Sequence, residues 1–110
     1  MRITITERRC DIPKRVRDRT EKLARGLEKF EERATSTEVV YSDEKHTKKV
    51  EIIVHIDGAP HVVSRGEGDD FRSALDQSIE RARRMLKEQR EQRRDHQAPP
   101  LSETMTAEGT

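Results

Sequence analysis

The stretch from Val50 to Asp57 constrains the fold of this chain more than any other. Val50, Ile52, Val54 and Ile56 alternate with Glu51, Ile53, His55 and Asp57, which is the period of two of a β-strand. One side of that strand is wholly apolar and the other mostly polar. It therefore belongs to a sheet that is covered on one face only. Other parts of the chain must supply the cover, and two amphipathic segments are patterned to do so.

The first has Val16, Thr20, Leu23, Leu27 and Phe30 at steps of three and four, which predicts a helix over about 12–31. Asp11-Ile12-Pro13 opens it, with Asp11 placed to accept a first-turn N–H and Pro13 where no N–H is needed. Gly26 inside the stripe costs up to about 1 kcal/mol relative to alanine. The second segment follows Gly66 and Gly68, which read as a flexible strand-to-helix turn, and Asp69 and Asp70, which read as a cap and first-turn acids. Its stripe is Phe71, Leu75, Ile79, Ala82 and Leu86, with Ala74 and Met85 at the margin, and it continues to about Arg94.

Further strands are predicted at 2–8, where Ile3 and Ile5 alternate with Thr4 and Thr6, and at 36–42, where Val39 and Tyr41 share a face. A polar turn, Asp43-Glu44-Lys45, precedes the long strand. Asp57-Gly58 is a hairpin signal leading to a strand at about 61–66. The order β-α-β-β-β-α gives an α+β two-layer sandwich, a four-stranded sheet with both helices on one face. The β-α-β opening makes its two strands parallel through a right-handed crossover. Residues 1–94 form the domain. Residues 95–110 contain three acids, no Lys or Arg and a Pro-Pro step, and read as a disordered acidic tail.

Hydrophobic residues are 30% of the chain and charged residues 41%, a share that would suit disorder if the charge were one-sided. It is balanced, 23 Lys and Arg against 22 Asp and Glu, so the reading is a thin but real core. No apolar run approaches the roughly 20 residues of a membrane span, and the N-terminus lacks the pattern of a signal peptide. The single Cys10 forms no internal disulfide and reads as a small apolar residue at a strand end. A reducing cytoplasm is the expected compartment.

Enzymatic constellations are missing: no H-E-x-x-H, C-x-x-C, Gly-x-Ser-x-Gly or Walker loop occurs. Gly66-Glu67-Gly68 faintly resembles a phosphate loop, but the acids around it repel phosphate. His55 and His61 flank the hairpin and approach one another across it. Without a third ligand they make a poor metal site, so no metal or other cofactor is expected and they read as solvent-facing strand residues. No small-molecule substrate is implied.

The basic residues are the informative feature. Between Ile79 and Arg94 there are seven Lys and Arg against three acids, in a chain whose total is only +1. Arg83, Lys87, Arg90 and Arg94 fall within about 60° of one another on the helical wheel. In the first helix Arg15, Lys22 and Lys29 recur every seven residues, with Arg19 nearby. Two ridges of cations match the phosphates of folded RNA. Only Phe30, Tyr41 and Phe71 are aromatic, and two of them fall on core stripes, so recognition of single strands by base stacking is not expected.

Several of these stretches together resemble a known family. They are the Ile3-Thr4-Ile5-Thr6 strand, the Arg-x-x-x-x-Lys-Leu stretch from Arg17 to Leu23 continuing to Phe30, Val39-Val40-Tyr41-Ser42 through Lys45-His46, and the Val50 to Ile56 strand. Gly68-Asp69-Asp70-Phe71-Arg72-Ser73-Ala74-Leu75-Asp76 is the most specific of them. Over residues 1 to about 94 the chain is similar to the bacterial ribosome hibernation-promoting factors and ribosome-associated inhibitors, also called subunit-interface proteins. The resemblance implies a dsRNA-binding-like fold that docks on the small ribosomal subunit between head and body. There it would overlap the tRNA and mRNA positions and stall translation under stress. It implies 16S rRNA contacts from Lys22 and Arg25 in the first helix and from Arg81, Arg84, Lys87 and Arg90 in the second. Arg83 and Arg94 join that set from the wheel alone. Gly26 stands where family members often carry a lysine. The length resembles the short form, without the dimerisation domain of longer members, and a monomer off the ribosome is expected. Two rival readings are a protein-interaction adaptor and a general double-stranded-RNA binder.

Overall fold

The elements in the computed structural model, which describes residues 1–97, follow the predicted order: β1 (Arg2–Arg8), α1 (Lys14–Arg25), a 3-10 turn (Gly26–Phe30), β2 (Ala34–Glu44), β3 (Thr47–Ile56), β4 (Val62–Gly68) and α2 (Phe71–Gln97). The sheet order is β1-β2-β3-β4. β1 pairs parallel with β2, in register Ile5 to Val39, and the other two pairings are antiparallel. Val39, Tyr41, Val50, Ile52, Val54 and Val62 are buried on the face that the helices cover, against Val16, Ala24, Leu27, Ala74, Leu75, Ala82 and Leu86. This is the α+β two-layer arrangement that the alternation in β3 requires.

Val40 points the other way along β2, yet it is only 5% exposed. Arg8, Glu51 and Arg65 line the same shallow depression, and Arg65 is paired with Glu51 at 3.0 Å. Long charged side chains thus lay their stems over this outward-facing valine.

The first helix is shorter than its apolar stripe predicts. α-Helical geometry ends at Arg25 and the chain tightens into a 3-10 turn from Gly26. Glycine is a weak helix former, and 3-10 turns are frequent at helix ends. Three residues per turn set Leu27 and Phe30 one above the other, with Leu27 buried and Phe30 packed at the core margin. Asp11 does not cap the helix. Pro13 is the N-cap residue without a side-chain cap bond, and its carbonyl accepts from Val16 N and Arg17 N at 3.0 Å. The helix begins too late for Asp11 to reach it, and Glu7 organises this corner instead, accepting from Ile12 N at 2.7 Å and Arg17 Nη2 at 2.9 Å.

The turn between β2 and β3 also differs from expectation. The ladder runs on to Glu44 opposite Thr47, so Asp43 and Glu44 belong to the strand and Lys45-His46 alone make the turn. Both have positive φ, 51° and 67°, the conformation of the tight hairpin turns that match strand twist. Lys48 bonds Asp43, and Lys49 bonds Glu44 at 3.0 Å. These cross-strand ion pairs extend the ladder where acidic residues had signalled a loop.

α2 starts as expected, with Asp70 Oδ1 accepting from Ser73 N at 2.7 Å. It runs to Gln97 rather than Arg94. The rest of the predicted acidic tail lies outside the described residues. The buried line of α2 is Ala74, Leu75, Ser78, Ala82 and Leu86, while Ile79 is only partly covered. Gly66 and Gly68 are not a flexible turn but the end of β4. A Cβ on Gly66 would collide with the Ala74 carbonyl and come within 2.9 Å of Ser78 N. The glycine is there because the helix backbone lies directly on it. Cys10 packs partly buried against the core, and burial pushes its thiol pKa up, as suits an unreactive cysteine.

One ion pair is internal. Glu31, 2% exposed, accepts from Arg33 N at 3.0 Å and from the Arg93 guanidinium, tying the end of the 3-10 turn to the last third of α2. Burial raises the Glu31 pKa, but the Arg33 N–H and the Arg93 charge outweigh it and leave the carboxyl below its ordinary value of 4.5.

Two stability predictions follow from these sites. Gly66→Ala should destabilise the domain by more than about 3 kcal/mol, because backbone has to move. Gly26→Ala, with open space around the new Cβ and an ordinary φ of −64°, should stabilise by about 0.4–1 kcal/mol. Urea melts of both variants check the pair of signs. For Glu31, a depressed folded pKa means a stabilisation that is present above pH 4.5 and lost as pH falls through the folded value. Glu31→Gln should therefore cost about 1.5–3 kcal/mol near neutral pH and much less near about pH 3, measured by melts at both.

Candidate nucleic-acid interface

β1 and β4 run in the same direction, since β1 is parallel to β2 and two antiparallel steps follow. The helices that come after them consequently begin at the same end of the sheet and lie side by side. Three polar contacts stitch them along their length. Near the start, Arg19 Nε and Nη2 each donate to Asp76 at 3.1 Å, a bidentate clamp. In the middle, the Arg83 guanidinium sits 5.9 Å from the centroid of Phe30 and is also bonded to Glu80 at 2.6 Å. Toward the end comes the Arg93–Glu31 pair.

Under the first clamp lies Tyr41, fully buried. Thr20 Oγ1 donates to the Val16 carbonyl at 2.6 Å, which leaves the Tyr41 hydroxyl to donate to Thr20. Phe71 meets the Tyr41 ring edge-on at 5.4 Å. Burial pushes the Tyr41 pKa up, so the phenol stays neutral. Tyr41 and Phe71 thus serve the core and the helix junction, as expected of a strand residue on the face of Val39 and of the first residue in the second apolar stripe.

These stitches sort the predicted site residues. Arg83 is committed to Glu80 and Phe30. Arg81 Nη1 donates to the Arg65 carbonyl at 2.7 Å, holding α2 to the edge strand. Arg19, read from the sequence as part of the first ridge, is the inter-helix clamp. Lys22, Arg25, Arg84, Lys87, Arg90 and Arg94 have no carboxylate partner among the described residues. Arg90 is half-buried and the other five are exposed. Arg25 makes one long bond, 3.3 Å, to the Met1 carbonyl. Six of the eight predicted residues are therefore unspent cations, on the two helices that share one face.

The α2 surface is not uniformly basic. Glu80, Glu88 and Glu91 share a shallow depression with Arg83, Arg84 and Lys87. Two further cations with no carboxylate partner among the described residues, Arg15 and Arg72, stand at the N-terminal ends of the helices, on the rim of a half-open cleft of about 640 Å³. Arg72 lies outside the basic run and was not legible as a site residue; its only sequence signal is its place one residue after Phe71. Asp69 and Asp70 also line that cleft. The Asp70 carboxylate already caps α2, and the Ser73 backbone N–H holds its pKa down. The helix end is therefore occupied by an internal anion, and the cleft is no phosphate cradle. Among the described residues, no helix is long and apolar enough to cross a membrane.

Comparison with known proteins bears on this geometry directly. The chain is 31% identical over 102 residues to a protein of Azotobacter vinelandii named ribosome hibernation promoting factor, covering 90% of this chain and 94% of that one. Its fold matches a ribosomal subunit interface protein from Coxiella burnetii with a TM-score of 0.73 at 21% identity, over 83% of this chain and 99% of the other. It also matches the Protein Y N-terminal domain of Thermus thermophilus with a TM-score of 0.71 at 26% identity, over 80% and 98%. The family model described as Sigma 54 modulation protein / S30EA ribosomal protein matches residues 3–94, which takes in every strand and both helices but for Arg2 and the last three residues of α2, together with all six of the unspent cations, and the chain belongs to that family.

Proposed function

We propose that this protein is a ribosome hibernation factor: it docks on the small ribosomal subunit through 16S rRNA, occupies the tRNA and mRNA positions and holds translation down under stress. It acts in the cytoplasm, as a monomer off the ribosome, and does no chemistry. The observation that carries the reading is the division of labour among the helix cations. Arg19, Arg83 and Arg93 are spent on joining the helices, while Lys22, Arg25, Arg84, Lys87, Arg94 and the half-buried Arg90 have no carboxylate partner among the described residues. An RNA backbone supplies the anions they lack. The exposed surface offers no stacking platform, so the target is a folded RNA recognised by shape and phosphate.

A second reading has its own observation. Glu80, Glu88 and Glu91 interleave with the α2 cations, and a mixed-charge helix also suits a protein partner. A general double-stranded-RNA binder is the third. Competition with tRNA for purified ribosomes separates them, because only ribosome docking at the tRNA positions gives mutual exclusion.

Binding through phosphate neutralisation has a salt signature. If about six cations each neutralise a phosphate, affinity for ribosomes should fall roughly 10³-fold between about 50 and 200 mM salt. Co-sedimentation unchanged over that range would count against the mechanism, and none at low salt would remove the assignment. Reversing Arg84, Lys87 and Arg90 together to Glu should abolish inhibition of a cell-free translation reaction while far-UV CD stays that of the parent, because these side chains lie off the buried line of α2. Inhibition at parental concentrations by the folded variant would move the docking surface elsewhere.

A further inference from the structure

Where the β3–β4 hairpin closes, two imidazoles meet. Val54 pairs with Val62 across the ladder, which makes positions 55 and 61 the next cross-strand neighbours, within side-chain reach. Gly58, at φ 72°, turns the chain between them. His55 follows the buried Val54 and precedes the buried Ile56, so its ring stands on the sheet face away from the helices. His55 Nδ1 and His61 Nε2 are 3.3 Å apart, and the ring planes are 71° to one another.

A shared proton accounts for that separation, and so does a metal ion. Two nitrogens bound at about 2.0–2.1 Å to a tetrahedral ion lie roughly 3.3–3.4 Å apart. A square-planar ion at the same bond length would need them at about 2.8–3.0 Å. We propose that His55 and His61 form a two-histidine clip for a borderline divalent cation of the zinc type, with water in the remaining positions. Aimed at one tetrahedral ion, the two rings would have centroids about 5 Å apart, against 4.2 Å here. The rings must therefore swing apart by about 1 Å while the two nitrogens keep their spacing, a movement open to partly exposed rings whose χ2 torsions are broad. The proton now between the nitrogens moves to the outward nitrogen of its ring, leaving both inner lone pairs for the metal, with no net proton released from a neutral pair. No third His, Cys, Asp or Glu joins the pair among the described residues. That missing ligand, the reason the sequence gives no metal expectation, limits the clip to exchangeable binding and leaves its bite distance intact. Arg2 and Glu38 line the depression beside His55 and stand among the nearest charges. The helices lie on the other face, so occupation of the clip leaves the basic surface open.

The test is calorimetric titration of Zn²⁺ into the full chain, repeated on His55→Gln, His61→Gln and the double variant His46→Gln/His96→Gln. One site per chain is expected. Either clip variant should weaken it at least about tenfold, since even partners one shell beyond a metal are worth that much, and the double variant should leave it within about twofold. Both clip rings are solvent-accessible, so all variants should keep the parental far-UV CD. With Co²⁺ in place of Zn²⁺, the imidazole proton resonances of residues 55 and 61 should shift together. No Zn²⁺ uptake at millimolar metal, uptake indifferent to both clip variants, or uptake lost with His46 and His96 would each overturn the proposal.

Discussion

The closeness of α2 to β4 sets the rest of the structure. Ala74, Ser78 and Ala82 recur every fourth residue along one line of the helix and are fully buried. Beneath them β4 presents Ser64 and Gly66, also buried. Ser64 Oγ donates to the Ser78 carbonyl at 2.8 Å, and Ser78 Oγ donates to the Leu75 carbonyl at 2.9 Å, so the two hydroxyls inside the contact are both satisfied. Small residues on both sides let the helix backbone rest on the strand, and the hydrogen bond fixes its height and rotation. Once that rotation is fixed, every other residue of α2 has its direction assigned. Leu75 and Leu86 enter the core, Asp76, Arg83 and Arg93 reach toward α1 and the turn after it, and Arg84 and Lys87 are left in solvent.

This assignment separates structural from available charge. Net charge is +1, and a chain this close to neutral generates little long-range field. What matters is which cations are already paired. Arg19–Asp76 is a bidentate pair across the two helices, and Glu31 draws Arg93 into a nearly buried site. Such a pair contributes little net stability compared with apolar packing but fixes how its elements meet. Asp76, the last residue of the stretch that most resembles the family pattern, has this physical role: it holds α1 in place beside α2. The ridge-like display of Lys22, Arg25, Arg84 and Lys87 depends on that clamp.

The elements that were legible in the sequence are those whose period is unambiguous. β3 alternates over eight residues and α2 repeats its apolar stripe over four turns, and both stand where expected. What was not legible depends on contacts distant in sequence. Lys45 and His46 carry positive φ without the Gly or Asn that signals such a turn, because the strand pairs on either side impose it. Gly66 has the same letter whether it is a hinge or a close contact, and only the helix above it decides. Ser78 looks polar on a helical wheel and lies at the centre of the packed line. On the candidate interface, helical periodicity placed Lys87 and Arg94 in solvent as expected, while Arg83 and Arg90 are half-buried, and it could not tell which cations are spent. Arg19, Arg81 and Arg83 differ from Lys22, Arg84 and Lys87 only through partners in other elements.

The two faces of the sheet are therefore chemically distinct for a structural reason. On the helix side, packing removes apolar surface and leaves cations projecting from helices whose backbone is fully bonded, so those side chains are free to meet an external anion. On the other side the strands carry their own cross-strand pairs, Lys49 with Glu44 and Arg65 with Glu51, and these neutralise one another within the ladder. A polyanion approaching from that side meets two cations that already have partners, alongside Arg2 and Arg8, which have none among the described residues. The same charge content is thus more fully paired within the strands than along the helices. The difference lies in the distance between partners, which a β-ladder sets at one strand spacing and a helix surface leaves open.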